Sequence, residues 1–201
     1  MSATVHLPTS GVSPHLAGGN GRQVVVVVPF KDAREIRDRC GRKTHASLGI
    51  EQASAFCSSN PSEWIATLLV SELAAAGFNV VRAPATASGP HIPRIEGSLL
   101  KLFAELRRPP GMLADRWIEA DIHIKLVVTS GSGLIAKRSF YAKGRFTPQV
   151  TFAFDPAVED ATRKLFKDMV ASIISLLNRY PALGAQHASV HRHSDGSPSN
   201  A

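Results

Sequence analysis

The hydrophobic pattern of the chain begins with an apolar run that ends in a charged segment. Five valines at positions 24–28 precede Pro29 and Phe30, and densely charged residues follow them. A continuous apolar run of this length is typical of a strand that is buried on both faces. We therefore predict a strand over Gln23–Phe30 in the interior of a sheet.

Two segments have apolar residues at helical spacing. The first begins at Asn60, where Pro61 and Glu63 complete a capping pattern, and it ends before Gly77. The second is predicted to begin with Asp155 as its N-cap and to end at residue 180. Each helix carries one apolar stripe that must be buried against another element.

Four further segments predict strands: Phe78–Val81, Ile92–Leu106, Trp117–Thr129 and Leu134–Phe146. The third alternates most clearly, so one of its faces is expected to contact water. The predicted order is β-α-β-β-β-β-α. This order indicates an α+β fold, with two amphipathic helices packed on one face of a mixed, mostly antiparallel sheet.

The remaining segments have no hydrophobic period. Residues 1–22 are predicted to be a flexible leader, and residues 181–201 a disordered tail rich in His and Ser. Residues 23–180 are expected to form a single α+β domain. Within it, Lys31–Ser59 is predicted to be a long irregular connection with a short helical turn around Ile50–Cys57, and such segments are often functional.

The composition points to no reaction. The chain has 23 Lys and Arg against 16 Asp and Glu, a formal net charge of +7. That charge permits a nucleic-acid partner, but the cations are scattered among acids, so we rank nucleic-acid binding lowest. Phosphate-binding glycine loops, nucleophile elbows and zinc motifs do not occur in the sequence. We expect a protein that is not an enzyme and has no catalytic residue, cofactor or metal site.

Acidic residues on the predicted strands have two interpretations. They could act as paired carboxylates in acid–base chemistry. We favour outward-facing residues that pair with cations on a neighbouring strand. The acids are Glu96, Glu105, Glu119 and Asp121, and the candidate cations are Lys137, Arg138 and Lys143.

The charged segment after the first strand holds the candidate partner-contact residues Asp32, Arg34 and Arg37. They follow the carboxyl end of a strand, where ligands bind in sheets that contain parallel strands. The functional interpretation is contact with a partner or an anionic group. The structural interpretation, which we favour, is an Asp–Arg pair that fixes the start of the loop.

Two cysteines, Cys40 and Cys57, flank the predicted irregular connection. In a reducing compartment they would be ordinary small side chains. In an oxidising compartment they could form a disulfide that closes a loop of about 17 residues, worth about 3 kcal/mol.

Several segments in series resemble a known family. They are PFKDAR, SELAAAGFNVV, IEGSLLKLFAEL, EADIHIKLVV and GLIAKRSFYAKGRF, within residues 23–179. This series resembles the YajG-like bacterial envelope lipoproteins. It is also similar to the auxiliary lipoproteins of ABC-type transport systems, with a layout like the N-terminal domain of TolB. Asp32 and Arg34 match the D-x-R that follows the first strand in that family.

The resemblance implies a periplasm-facing, non-catalytic domain with a structural or adaptor role and an envelope protein as partner. The alternative is a small-molecule or lipid-binding accessory module of a transport system, which would need an apolar cavity between sheet and helices. Exported members of the family begin with a signal peptide and a cysteine to be lipidated, and residues 1–22 contain neither. Membrane attachment is therefore expected only through a missing or trimmed lipid anchor. The expected location is the periplasm or the inner face of the outer membrane, or the cytoplasm if the N-terminus as written is native.

Overall fold

The computed structural model describes residues 2–9, 16–44, 51–84, 92–107, 116–131, 133–148 and 153–180. The strands are β1 (Ser2–Val5), β2 (Gln23–Val27), β3 (Lys31–Asp32), β4 (Gly41–Thr44), β5 (Glu51–Cys57), β6 (Asn79–Ala83), β7 (Arg94–Arg107), β8 (Trp117–Ser130) and β9 (Gly133–Phe146). The helices are α1 (Pro61–Ala75) and α2 (Asp155–Arg179).

The strands form one mixed sheet around β7. Along the sheet the order is β1-β5-β4-β7-β2-β6, and β3 and β8 also pair with β7. The β7–β8, β8–β9 and β4–β5 pairings are antiparallel, whereas the shorter pairings of β1, β2, β3 and β4 with their other neighbours are parallel. An α+β fold with two helices on a mixed sheet is therefore confirmed. The predicted element order is incomplete, because it has one strand before α1 where the structure has five.

Strand β2 lies between two parallel neighbours, β6 and β7. Val24 and Val26 share one face of the strand and are completely buried, whereas on the other face Val27 is buried and Val25 is partly buried. The predicted burial of both faces is therefore found in part. The strand ends at Val27, and Phe30 folds back over the sheet. Its ring occupies the space that a side chain at Gly97 would need, so glycine at this position of β7 lets the ring pack on the backbone.

Both helices bury their apolar stripes against the sheet and contact each other. Strand β8 supplies the facing row, in which alternate residues are almost completely buried: Ile118, Ala120, Ile122, Ile124, Leu126 and Val128. Helix α2 lies directly on β9 at Gly144, where an added Cβ would collide with the backbone of Ala157 and Ala161. The absence of a side chain at Gly144 therefore sets how closely α2 approaches the sheet.

The two helices begin in different ways. The Asn60 side chain accepts hydrogen bonds from the backbone N–H groups of Ser62 and Glu63, as expected of an N-cap. The prediction that Asp155 caps α2 is wrong, because Phe154 occupies the N-cap and has no capping hydrogen bond. The Asp155 carboxylate instead accepts the backbone N–H of His6 at 2.9 Å.

That contact belongs to a segment predicted to be a flexible leader, and this prediction is wrong for much of residues 1–22. Ser2–Val5 forms β1, paired in parallel with β5. Val5 and Leu7 are buried in the core, and the indole Nε1 of Trp64 donates a hydrogen bond to the carbonyl of Pro8 at 2.6 Å. Burial of these two apolar residues stabilises a segment whose composition alone predicts disorder.

The prediction of an irregular connection over Lys31–Ser59 is also wrong in part. It contains β3, β4 and β5, and the helical turn predicted around Ile50–Cys57 is strand over Glu51–Cys57. The predicted tail, residues 181–201, lies outside the described residues.

Candidate partner-contact surface

The sheet has one face that neither helix covers. On β7, β8 and β9 this face carries the residues that alternate with the buried row, and we call it the outer face. Its members include Lys101, Phe103, Glu105, Trp117, Glu119, Asp121, His123, Lys125, Lys137, Ser139, Tyr141, Lys143 and Arg145. Because most of these side chains are polar, the outer face can remain in water or bind a polar partner.

Asp121 is at the centre of the outer face and is 7% exposed. Its carboxylate accepts hydrogen bonds from Lys101 Nζ at 2.8 Å and from Tyr141 Oη at 2.6 Å, and Lys143 Nζ lies 3.8 Å away. Burial raises the pKa of Asp121, but the hydrogen bonds from Lys101 and Tyr141 outweigh it and hold this pKa below its ordinary value. Burial and the same hydrogen bond to Asp121 raise the pKa of Tyr141.

The neighbouring acids also pair with cations. Glu105 pairs with Arg42 Nε at 2.8 Å and with Arg107 Nη2 at 3.0 Å. Glu119 pairs with Lys143 Nζ at 3.1 Å, which raises the pKa of Lys143. These acids are therefore occupied by ion pairs, which favours the structural interpretation of the strand carboxylates over acid–base chemistry.

The predicted cross-strand pairing is confirmed for Lys143, which lies directly opposite Asp121 on the adjacent strand. Lys137 and Arg138 lie beside Val127 and Leu126 and have no ion pair among the described residues. The sequence did not identify Lys101, Arg42 and Arg107 as partners of these acids. The position of Lys101 opposite His123 follows from an irregular register between Leu99 and Lys101, which alternation alone does not reveal.

Aromatic side chains interleave with these charges. The Arg145 guanidinium lies over the Trp117 ring at 4.1 Å, and that of Arg42 lies 5.7 Å from the centre of the Phe103 ring. Tyr141 is 52% exposed. Aromatic and Arg side chains together are characteristic of protein–protein interfaces.

Arg34 holds the loop that borders the outer face. It is 4% exposed, and its Nε and Nη2 atoms donate to the two carboxylate oxygens of Asp32, each at 3.0 Å. Further donors reach the carbonyls of Arg37 at 3.1 Å and Arg39 at 3.4 Å. Arg37 is exposed and donates its Nε to the carbonyl of Arg34 at 3.0 Å.

The guanidinium of Arg34 thus donates to Asp32 and to backbone carbonyls of its own loop, as the structural interpretation of the Asp–Arg pair requires. The hydrogen bond from Arg34 lowers the pKa of Asp32. Of the three candidate contact residues, Arg37 is exposed and Asp32 is partly exposed, so both are accessible to a partner. Arg34 is buried and fixes their positions.

Cys40 and Cys57 are joined in a disulfide with their Cα atoms 5.4 Å apart. Cys40 precedes β4 and Cys57 ends β5, so the bond links the two strands next to Arg34. An Arg34 Nη1 atom lies 3.6 Å from the sulfur of Cys40. The disulfide therefore fixes the loop that carries the candidate contact residues.

A cleft of about 320 Å³ lies between that loop and the outer face. Its walls combine cations and acids with a few apolar groups: Arg34, Glu35, Ile36, Arg42, Leu100, Lys101, Leu102, Phe103, Glu105, Arg107, Glu119 and Asp121. Glu35 and Ile36 are exposed at its rim. The cleft brings the charged segment after the first strands together with the polar row of β7 and β8, which are distant in sequence.

The fold and this surface define an α+β domain with one helix-covered face and one polar face. No protein-family model and no curated protein sequence matches the chain. Among solved structures, the chain is similar to XCC0632 from Xanthomonas campestris, a protein of the DUF330 family, at 14% identity and a TM-score of 0.54. The match covers 90% of this chain and 98% of that one. A crystal structure of an uncharacterised protein matches at 12% identity and a TM-score of 0.43, covering 90% and 98% of the two chains.

At 14% identity the similarity to XCC0632 shows the fold alone, and this fold is one that a bacterial protein of the DUF330 family adopts. The comparisons do not confirm the predicted resemblance to the YajG-like lipoproteins, which stays a prediction. Within the described part of the chain, no helix combines the length and the hydrophobicity needed to cross a bilayer.

Proposed function

We propose that the chain is a non-catalytic protein of the bacterial cell envelope, with a layout like that of the YajG-like lipoproteins. In this proposal it binds another envelope protein through the outer face and the loop fixed by Arg34. The main support is the cleft, where exposed Glu35 and Ile36 lie beside a polar sheet face that neither α1 nor α2 covers.

One further observation supports the envelope location. Disulfides persist in oxidising compartments such as the periplasm, and Cys40 and Cys57 are paired.

Site-specific photo-crosslinking in cells tests the contact. Glu35 or Lys125 is replaced with benzoylphenylalanine, and Lys167 on the exposed side of α2 serves as the matched control. We expect one defined product from the first two positions, enriched in the envelope fraction, and none from Lys167. Equal crosslinking from all three positions, or none from Glu35 and Lys125, would contradict the proposal.

The alternative of a small-molecule or lipid-binding module has weaker support. The cleft is at the lower end of the volumes that bind small molecules, about 300–1,000 Å³. It lies on the face away from the helices, and its walls carry charges such as Arg42, Lys101 and Glu105. Such a cleft suits a small polar ligand better than an acyl chain, which needs apolar walls.

A further inference from the structure

Strand β9 forms an edge of the sheet. It is 14 residues long, and in the part of the chain that the structure describes it pairs with β8 alone. An edge strand presents unpaired backbone N–H and C=O groups, to which another strand can add. Long edges of this kind are usually covered or are used for binding.

Two hydrogen bonds reveal which backbone groups point outward. The N–H of Arg145 donates to the Asp160 carboxylate at 3.1 Å, and Lys164 Nζ donates to the carbonyl of Lys143 at 3.2 Å. In an antiparallel ladder a residue directs both of its backbone groups to the same side. The backbone N–H and C=O groups of Lys143 and Arg145 therefore point away from β8. Side chains of α2 bind these groups and cover this end of the edge.

The same alternation extends back along β9 to Lys137. The pairing of β9 with β8 has no register shift between Lys137, opposite Val127, and Phe146, opposite Ile118. Lys137, Ser139 and Tyr141 consequently direct their N–H and C=O groups outward as well. No hydrogen bond from α2 reaches them among the described residues. We call residues 137–141 the open edge.

The charge of the open edge selects among possible partners. Lys137 and Arg138 are exposed and have no ion pair within the described ranges, and β9 contains no acidic residue. A second copy of β9 paired with the first would bring cations close to cations, which is destabilising. An extended segment with acidic side chains would instead be complementary.

We propose that the open edge binds an extended acidic segment of a protein partner by strand addition. This inference rests on the proposed function, since it specifies how the envelope partner is held. Backbone hydrogen bonds from Lys137, Ser139 and Tyr141 supply the attachment, and the cations select for acid. Tyr141 at the end of the open edge and Leu134, which precedes it on β9 and is 58% exposed, offer apolar contacts.

The test uses the full-length protein and two eight-residue peptides. In one, valine alternates with glutamate, and in the other valine alternates with lysine. Amide hydrogen exchange is followed by NMR at the open edge. We expect the glutamate peptide to slow exchange at Lys137, Ser139 and Tyr141 by about tenfold or more, and the lysine peptide to have no effect. Equal effects of the two peptides, or no effect of either, would overturn the inference.

Two variants and a control sharpen the result. Ser139→Pro removes an outward N–H that β8 does not use, so it should abolish protection while leaving the fold intact. Lys137→Glu should weaken the binding of the glutamate peptide. Lys167→Glu on α2 makes the same charge change and should leave that binding unaltered. Unchanged binding by Ser139→Pro and Lys137→Glu would refute strand addition.

The outcomes separate this inference from the proposed function. Crosslinks from Glu35 and Lys125 without edge protection would refute only strand addition. Edge protection without any crosslinks in cells would refute the envelope contact and leave the peptide-binding edge established.

Discussion

Arg34 shows most clearly how a single residue organises the candidate surface. Its guanidinium is buried and donates to both oxygens of Asp32 and to two backbone carbonyls. A buried guanidinium is stable only when its donors are satisfied in this way. Asp32 and the loop carbonyls therefore hold a conformation that the sequence of the loop does not otherwise favour.

Replacing Asp32 with asparagine should lower the free energy of unfolding by about 1.5–3 kcal/mol, because the buried Arg34 guanidinium loses charge-assisted hydrogen bonds to its counterion. Urea denaturation measures the change. Asp38→Asn is the control, because Asp38 is exposed and its ion pair with Arg39 is long at 3.9 Å, so it should cost less than about 0.5 kcal/mol. Equal effects of the two variants would show that Arg34 does not depend on Asp32.

The same pair predicts a pH dependence. The pKa of Asp32 is lower in the folded state than in the unfolded chain, so its contribution to stability is present above the ordinary carboxyl pKa of about 4. This contribution is lost as the pH falls through the lowered pKa. The difference in unfolding free energy between wild type and Asp32→Asn should therefore be constant near neutral pH and shrink in acid. A difference that grows on acidification would contradict the assignment.

The elements differ in how far the sequence could predict them. Helix α1 and strands β6 to β9 are long, periodic or clearly capped, so their secondary structure can be predicted from their own residues. Strands β4 (GRKT) and β5 (EQASAFC) are short and rich in small or polar residues, and β1 lies in a polar stretch. They form because neighbouring strands and the disulfide hold them, and single-sequence patterns contain no such information.

The candidate surface divides in the same way. Alternation on β8 predicts which acids face outward, and strand neighbours predict that Lys143 opposes Asp121. The cleft could not be predicted, since it depends on the Arg34 loop lying over the outer face. The N-cap error at Asp155 has a similar cause, because its carboxylate binds the distant segment at His6.

Gly144→Ala tests the contact between α2 and β9. The added Cβ would collide with backbone atoms of Ala157 and Ala161, which cannot move without shifting the helix. We expect a loss of about 1–3 kcal/mol in the free energy of unfolding, the usual cost of overpacking. Lys137→Ala at an exposed position of the same strand is the control and should be nearly neutral. A neutral Gly144→Ala would mean that α2 lies farther from β9.

Cys57→Ala tests the disulfide between β4 and β5. It should lower the free energy of unfolding by about 3 kcal/mol, because the unfolded chain loses a loop constraint. Reductant should lower the stability of the wild type by a similar amount and leave the variant unaffected. If reductant destabilises both proteins equally, the bond is not the source of the effect.

At the scale of the whole molecule, the helix-covered face and the outer face have separate roles. The core beneath the helices supplies stability, and many of its side chains are completely buried. On the outer face, ion pairs around Asp121 and Glu105 keep polar groups ordered at the surface. Among the described residues the outer face is polar and is covered by neither helix, as the proposed contact with a protein partner requires.

The proposed location of the protein in the cell envelope is tested most directly by the state of its two cysteines in living cells. Cells are treated with a thiol-reactive reagent of known mass before lysis, and the labelled protein is resolved together with its cell fraction. We predict that Cys40 and Cys57 are both protected until a reductant is added and that the protein fractionates with the envelope. Two free thiols on a protein found only in the cytosol would contradict the account.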